Sequence, residues 1–476
     1  MEYEPVIGLE IHAELATETK LFCGCSTEFG APPNSQVCPV CMGLPGVLPV
    51  VNEKAVEYMI RTALALNCSI NHQTKFDRKN YYYPDLPKNY QISQQYLPFA
   101  RDGWVEITVG GEKKKVGIGN IHLEEDAGKN IHLQGMNASL VDLNRTGIPL
   151  VEIVTKPDMR NLEEVEVFMN TLKEILLYTG VSDCKMEEGS LRFEANISVR
   201  KKGENILLPR TEIKNLNSFK IVMAALEYEI RRQQEALIKG EKVLQQTRLW
   251  DEEKRRTRPM RGKEEAQDYR YFPEPDLPPL YISDDEVERV RETLPELPNK
   301  RKNRFIRQYN LTEYEANILI GSKDIADFFE ECTKKLKSAK EISNWVIGPV
   351  MRLLNERNIS IGESKLTPGY LVSLIGLINE GKINLNTAKS ILPEVFETGK
   401  EPGKIVQESG LTQVSDEQEI SLMVEQVMRE NQKAVDDLKK GKMKALGFLV
   451  GQVMRISKGK ANPQLVNRLF QEKLKD

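Results

Sequence analysis

An α+β fold is what this sequence predicts: a largely antiparallel sheet with packed helices in the N-terminal part, followed by an all-helical remainder. Three observations lead there. Over the first ~280 residues, apolar positions recur with period two in some segments and period 3.6 in others. A proline-rich stretch, YFPEPDLPPLYIS (271–283), closes that region. From Ser283 onward the apolar positions follow the helical period.

The elements follow in chain order. Ile7, Leu9, Ile11, Ala13 and Leu15 alternate with Gly8, Glu10, His12 and Glu14, the pattern of a strand with one buried face. Leu162, Val165, Phe168, Leu172, Ile175 and Leu176 recur at helical spacing, with Asn161 and Glu164 as a capping box and Gly180 as the stop. Leu191, Phe193, Ala195, Ile197 and Val199 make a second alternating strand, and a long helix is expected over 219–240. Ser283 and Glu286 can cap the first helix after the proline-rich stretch. A chain of 476 residues is too long for one core, so several domains are expected. LPELP (294–298) and KEPG (400–403) read as linkers, which places domains at 1–293, 294–402 and 403–476.

Charged residues make up 29% of the chain, and its net charge is −3. That balance decides nothing about nucleic acid, because clustering matters more than the sum. No apolar run reaches bilayer length, and no basic leader precedes an apolar stretch at the start. A cytoplasmic protein with no membrane partner is therefore expected.

Seven cysteines are too few for a disulfide scaffold at this length. Four crowd together as C-x-C and C-x-x-C pairs: Cys23, Cys25, Cys38 and Cys41. Two short-spaced pairs offer four thiolates to one tetrahedral zinc ion and leave no open position for catalysis. Gly24, Pro39 and Gly43 supply the turns.

Glu10, His12 and Glu14 share one strand face, which for Glu14 reads as a solvated one. Further acids can meet Glu10 and His12: Glu124, Glu125 and Asp126 in IHLEEDAGK, Glu152 in PLVEIV and Glu212 in RTEIKN. Clustered carboxylates need a cation, and such hard oxygen donors suit Mg²⁺, with Mn²⁺ tolerated where histidine joins. Residues 75–96 combine five tyrosines with Lys75, Arg78, Lys79 and Lys88, while Arg192, Glu194 and Asn196 share a strand face near Lys214. These groups can hold phosphates and stack a nucleoside, or they can form an ordinary sheet surface with satisfied hydroxyls. Three basic stretches, at 254–263, 300–307 and 439–460, are either solvated faces or contacts to a nucleic-acid backbone. The chain has no phosphate-binding P-loop, no HExxH motif and no amidase nucleophile motif.

Seven blocks resemble the GatB/GatE family of tRNA-dependent amidotransferase subunits. They are VIGLEIH (6–12), FDRKNYYYPDLPKNYQISQ (76–94), LEEDAGK (123–129), DLNRTGIPLVEIV (142–154), MEEGSLRFEANIS (186–198), EIKNLNSF (212–219) and DYRYFPEPD (268–276). Residues 447–467 resemble its tail. The resemblance implies a catalytic cradle domain holding the zinc knuckle, a helical domain, and a YqeY-like tail that binds tRNA. It implies ATP-dependent phosphorylation of the side-chain carboxylate on misacylated Glu-tRNA(Gln) and on Asp-tRNA(Asn). Ammonia would then be supplied by a GatA-type amidase subunit, with a GatC-type small subunit completing a heterotrimer. Carried over residue by residue, it implies Mg²⁺ at His12, Glu125 and Glu152 and a second divalent ion at Glu10 and Glu212. Lys79 and Lys88 would face phosphate or a channel, and Arg192, Asn196 and Lys214 would line the ATP or aminoacyl pocket. Glu194 departs from the family's shorter aspartate. A non-catalytic tRNA-binding scaffold is the rival reading.

Overall fold

The computed structural model describes residues 2–133, 138–206, 208–260, 269–411, 417–439, 442–457 and 461–473. The chain divides into two compact units, Met1–Pro298 and Asn299–Asp476.

The first unit is built on strands. In order they are β1 (Tyr3–Glu14), β2 (Ser69–Ile70), β3 (Gln73–Thr74), β4 (Asp77–Asn80), β5 (Tyr90–Ser93), β6 (Ala100–Val109) and β7 (Glu112–Glu125). There follow β8 (Lys129–His132), β9 (Ser139–Asp142), β10 (Pro149–Thr155), β11 (Leu191–Lys201) and β12 (Thr211–Leu216). The last are β13 (Gln246–Asp251), β14 (Arg256–Pro259), β15 (Phe272–Pro273) and β16 (Leu280–Tyr281). Its helices are α1 (Glu53–Ala65), α2 (Leu162–Thr179), α3 (Phe219–Ile238) and α4 (Asp284–Glu292).

Nine strands form one sheet in the order β14-β13-β12-β11-β1-β10-β7-β6-β2, antiparallel except where β12 and β13 run parallel. The α+β expectation is met, and the single parallel pair is the one bridged by α3, as a crossover requires. The period-two pattern works as read: Ile7, Leu9, Ile11 and Ala13 are fully buried beside Val151, Ile153, Ala195 and Ile197. Helices α1, α2 and α3 cover that apolar face with Met59, Phe168, Leu172, Val222 and Leu226. The opposite face therefore collects the polar alternates.

Helix α2 starts at Asn161, whose side chain accepts the Glu164 N–H, and stops at Gly180 in the left-handed region. The expected capping box closes only halfway. The Glu164 carboxylate instead accepts from the Arg160 N–H at 2.7 Å and pairs with Lys114 at 2.6 Å. Ser283 and Glu286 do form a full box at the start of α4.

The second unit is helical. It comprises α5 (Pro298–Tyr309), α6 (Glu313–Ile320), α7 (Lys323–Lys335), α8 (Ala339–Trp345), α9 (Met351–Arg357), α10 (Pro368–Asn379), α11 (Leu385–Thr398) and α12 (Pro402–Glu408). It ends with α13 (Glu417–Glu430), α14 (Gln432–Lys439), α15 (Lys444–Ile456) and α16 (Pro463–Lys473). Ile420, Val424, Val427, Val435, Leu449, Val453, Val466 and Phe470 build a separate small core from the last four helices. Helix α12 packs on α10 and α11.

The basic stretch at 300–307 is largely spent within this unit. Arg301 pairs with Glu330 and Asp327 at 2.6 Å each, Arg304 with Glu330 at 2.6 Å, and Lys302 with Glu313 at 2.8 Å. Lys300 and Arg307 remain exposed. Burial raises the Glu330 carboxyl, but the Arg304 and Arg301 guanidiniums outweigh it and hold the group down at about 2. A carboxyl held that low stabilises the fold above its ordinary range near 4.5, and the contribution is lost as pH falls toward 2. Glu330→Gln is expected to cost about 2 kcal/mol at neutral pH and much less near pH 2, as read by denaturant unfolding.

In the stretch at 254–263, Lys254, Arg255, Arg256 and Arg258 are exposed on and beside edge strand β14. Residues 261–263 lie outside the described residues, as do Asp268 and, in the tail stretch, 440–441 and 458–460. Within the tail, Lys444 and Arg455 are exposed on α15 and Lys442 pairs with Asp437 at 2.9 Å.

Candidate active site

The polar face of the large sheet gathers its acids by strand register. In antiparallel pairing His12 stands opposite Glu152, Glu152 opposite His122, and Glu10 opposite Glu194. Asn196 stands opposite Glu212, and Glu212 opposite Thr247. Opposed residues project to the same side, so six neighbouring strands, β13 through β7 in the sheet order, lay these groups in one row.

Two groups of three converge. A ligand atom from each of His12, Glu124 and Glu152 lies within 4.8 Å of the others, and so does one from each of Glu10, Glu194 and Glu212. His12 Nε2 is 3.4 Å from Glu124 Oε1, while Ser93 Oγ donates to Glu124 Oε2 at 3.1 Å. His122 Nδ1 lies 3.4 Å from Glu152. Beside them Asn196 donates to Glu10 at 2.8 Å, and Lys214 reaches Glu194 at 2.8 Å and Glu212 at 3.1 Å.

Glu125 is not in this row, which corrects the ligand set His12, Glu125 and Glu152. Along β7, His122 and Glu124 share one parity, and Ile121, Leu123 and Glu125 the other. Glu125 therefore points away from His12. It pairs with Lys88 and accepts the Ile92 N–H at 2.9 Å. Glu124 takes its place beside His12 and Glu152. The second group brings Glu10 and Glu212 together with Glu194, whose longer side chain reaches them.

The electrostatics are those of crowded acids. Burial raises the Glu10 carboxyl, helped by Glu152 and Glu194. Burial also works against the Glu152 anion, but the His122 hydrogen bond and the His12 charge prevail and hold it at about 2. For His12, burial lowers its proton affinity, yet the Glu124 hydrogen bond and Glu152 raise it above the ordinary 6.5 overall. Lys79, from β4, has its ammonium 5.1 Å from the Tyr269 ring centre and 5.8 Å from that of Tyr81. Burial lowers it, but Glu124 and Glu152 more than compensate, so it stays charged beside the acids.

Glu14 does not have the solvated setting read from its strand position. Burial, then Asp126, pushes its carboxyl up to about 8. Asp126 is 3% exposed and accepts from Arg192 at 2.7 Å, with Arg145 at 3.4 Å. Arg192 Nε and Asn196 Oδ1 are buried without a hydrogen-bond partner among the described residues. Buried polar atoms of this kind are the natural contacts for a bound ligand.

A hard divalent cation fits both groups of three, because each offers oxygen donors at mutual distances one ion can bridge and neutralises charge that now repels. Protons compete with that ion for His12. Since His12 holds its proton above 6.5, Mn²⁺ or Mg²⁺ affinity is expected to rise with pH in that range, by about tenfold per unit at most. A titration of metal binding against pH checks this, and a flat profile contradicts it.

The four knuckle thiols also converge within 4.8 Å. Cys41 Sγ and Cys38 Sγ are 3.9 Å apart, and a tetrahedral ZnS₄ site with Zn–S near 2.3 Å has an edge of about 3.8 Å. The thiols therefore fit zinc. Lys20, 1% exposed, donates to the Gln36 carbonyl at 2.8 Å and approaches Cys41 Sγ at 3.7 Å, bringing positive charge to a group of thiolates. A cavity of about 190 Å³ adjoins the knuckle, lined among others by Phe22, Cys41, Gly43, Lys88 and Glu125.

The blocks at 76–94 and 268–276 meet as β4 pairs with β15, and Arg78 holds Glu274 at 2.6 and 2.9 Å. Tyr81, Tyr269 and Tyr271 form an edge-to-face chain next to Lys79.

The sequence profile of the GatB/GatE catalytic domain matches residues 5–288, and that of a GatB domain matches residues 327–474. Among curated relatives, the B subunit of the aspartyl/glutamyl-tRNA(Asn/Gln) amidotransferase from Caldicellulosiruptor saccharolyticus is 56% identical over 100% of this chain and 99% of its own length. Its namesakes in Thermodesulfovibrio yellowstonii and Thermotoga sp. strain RQ2 are 54% and 53% identical, over 100% of this chain and 100% and 99% of their own lengths. The face that carries the two acid triads lies wholly within the catalytic-domain match, and the chain belongs to the GatB/GatE family.

Proposed function

We propose that this chain is the carboxylate-activating subunit of a tRNA-dependent amidotransferase acting on Glu-tRNA(Gln) and Asp-tRNA(Asn). The observation that carries the reading is the row of two three-ligand groups flanked by Lys79, Arg192 and Lys214. A side-chain carboxylate is a poor electrophile, since it is anionic and its leaving group would be an oxide. Attack of its oxygen on the γ-phosphorus of ATP forms a C–O–P linkage and releases ADP. Ammonia then attacks the carbonyl carbon, phosphate leaves, and the nitrogen gives up a proton.

His12, Glu124 and Glu152 would hold Mg²⁺ (Mn²⁺ is tolerated), with a second divalent ion at Glu10, Glu194 and Glu212. Bound there, the ions supply charge stabilisation to the transferring phosphoryl group. Lys79 and Lys214 add fixed positive charge near those acids, and Arg192 and Asn196 orient substrate through their free polar atoms. Cys23, Cys25, Cys38 and Cys41 hold a structural zinc. Lys88 and Glu125, on the other side of β7, line the route by which ammonia arrives. Partner subunits of the GatA and GatC type supply that ammonia and complete the assembly. The exposed cations of β14 and α15 receive tRNA phosphates.

Supplying ATP, Mg²⁺, ammonium and Glu-tRNA(Gln) to the chain with its copurifying subunits should yield Gln-tRNA, with ATP hydrolysis that depends on the charged tRNA. Failure of both contradicts the reading.

A further inference from the structure

The cysteine knuckle is packed directly against the Lys88–Glu125 pair. Cys38–Leu44 is a tight turn in which Met42 N–H bonds to Cys38 O at 3.1 Å, Gly43 to Val40 O at 3.0 Å and Leu44 to Pro39 O at 3.0 Å. Gly43, two residues past the thiol of Cys41, has φ +66°, and a Cβ on it would lie 2.2 Å from Lys88 Cγ and 3.2 Å from Lys88 Cβ. Those atoms are the root of the side chain, not its flexible end, so Lys88 could clear them only by abandoning its rotamer. Its ammonium end is fixed as well. The side chain is 7% exposed, and its ammonium pairs with Glu125 and sits 5.3 Å from the Tyr90 ring centre and 6.0 Å from that of Phe22. The stem of Lys88 therefore rests on the knuckle backbone at Gly43, where no side chain stands.

We propose that Gly43 is a positioning residue: the missing side chain lets the knuckle seat Lys88 against Glu125, so the knuckle sets the geometry of the ammonia route as well as the stability of the unit. This rests on the reading above that Lys88 and Glu125 line that route. The knuckle contains its own control. Gly46 also has positive φ, +86°, but a Cβ there meets nothing within 4 Å. Alanine at Gly46 carries the backbone strain without the collision.

The experiment uses the full complex with Gly43→Ala, Gly46→Ala, Lys88→Ala and the Gly43→Ala/Lys88→Ala pair. It measures zinc per chain, charged-tRNA-dependent ATP hydrolysis, and Gln-tRNA formed from glutamine. Gly43→Ala is expected to lower Gln-tRNA formation about tenfold while ATP hydrolysis stays within about twofold, with Gly46→Ala within about twofold in both. In the Lys88→Ala background, adding Gly43→Ala should cause no further loss, because Cγ and Cδ, the atoms it strikes hardest, are gone and the Cβ that remains stands 3.2 Å away. Gly43→Ala matching Gly46→Ala, or causing the same loss in both backgrounds, overturns the proposal. If Gly43→Ala loses its zinc, recovery of zinc in the double variant supports the contact and continued loss overturns it. Wild-type behaviour of Lys88→Ala would instead sink the reading of Lys88 and Glu125 on which the proposal stands.

Discussion

Glu124→Gln is expected to lower charged-tRNA-dependent ATP hydrolysis by about a thousandfold, while Glu125→Gln leaves it within about tenfold and impairs the use of ammonia instead. The two residues are adjacent in sequence and chemically identical, so only the strand's alternation separates them. Glutamine at 124 keeps the shape but removes an anionic donor from the group shared with His12 and Glu152. It also replaces the anionic acceptor whose hydrogen bond most raises the His12 proton affinity with a neutral one. Glutamine at 125 leaves that group whole and breaks the ion pair with Lys88. A steady-state comparison of the two variants, each with ATP hydrolysis and amide formation measured separately, checks the assignment.

The second large effect concerns the knuckle. Cys38→Ser is expected to reduce zinc from about one per chain to near zero, because the four thiols are placed to share one ion and the hydroxyl that replaces a thiol is a far weaker donor. The loops between Cys23 and Gly46 carry little core of their own, with Phe29 and Leu44 exposed. Metal analysis and thermal unfolding together test this. Loss of zinc should cost about 3 kcal/mol and lower the melting temperature of the unit by about 6 °C or more. Retention of zinc at full stoichiometry contradicts the site.

The sequence was most legible where a residue's role depends on its own strand or turn. The alternation of β1 placed Glu10 and His12 on one face, and the spacing of the cysteines announced the cluster of four thiols able to hold a metal. The parity signal that separates Glu124 from Glu125 is also present in the sequence, since Ile121 and Leu123 mark the apolar side of β7. The family resemblance instead singled out Glu125. Long-range partners were not legible. Nothing near Glu14 in the sequence announces Asp126, Arg145 and Arg192, which reach it from other segments. The cations of 300–307 left a solvated face and a nucleic-acid contact both open, because Glu330 and Asp327, which take up Arg301 and Arg304, lie on a different helix. Glu194 joins Glu10 and Glu212 only through the pairing of β1, β11 and β12.

On the proposed function, substrate activation takes place at the face defined by His12, Glu124 and Glu152. Mn²⁺ binding to the intact complex, followed by electron paramagnetic resonance in the wild type and in the Glu124→Gln and Glu125→Gln variants, tests it most directly. Loss of one bound ion, or at least about a hundredfold weaker binding, is expected for Glu124→Gln alone, with Glu125→Gln binding as the wild type does. Normal binding by Glu124→Gln together with loss in Glu125→Gln would contradict the account.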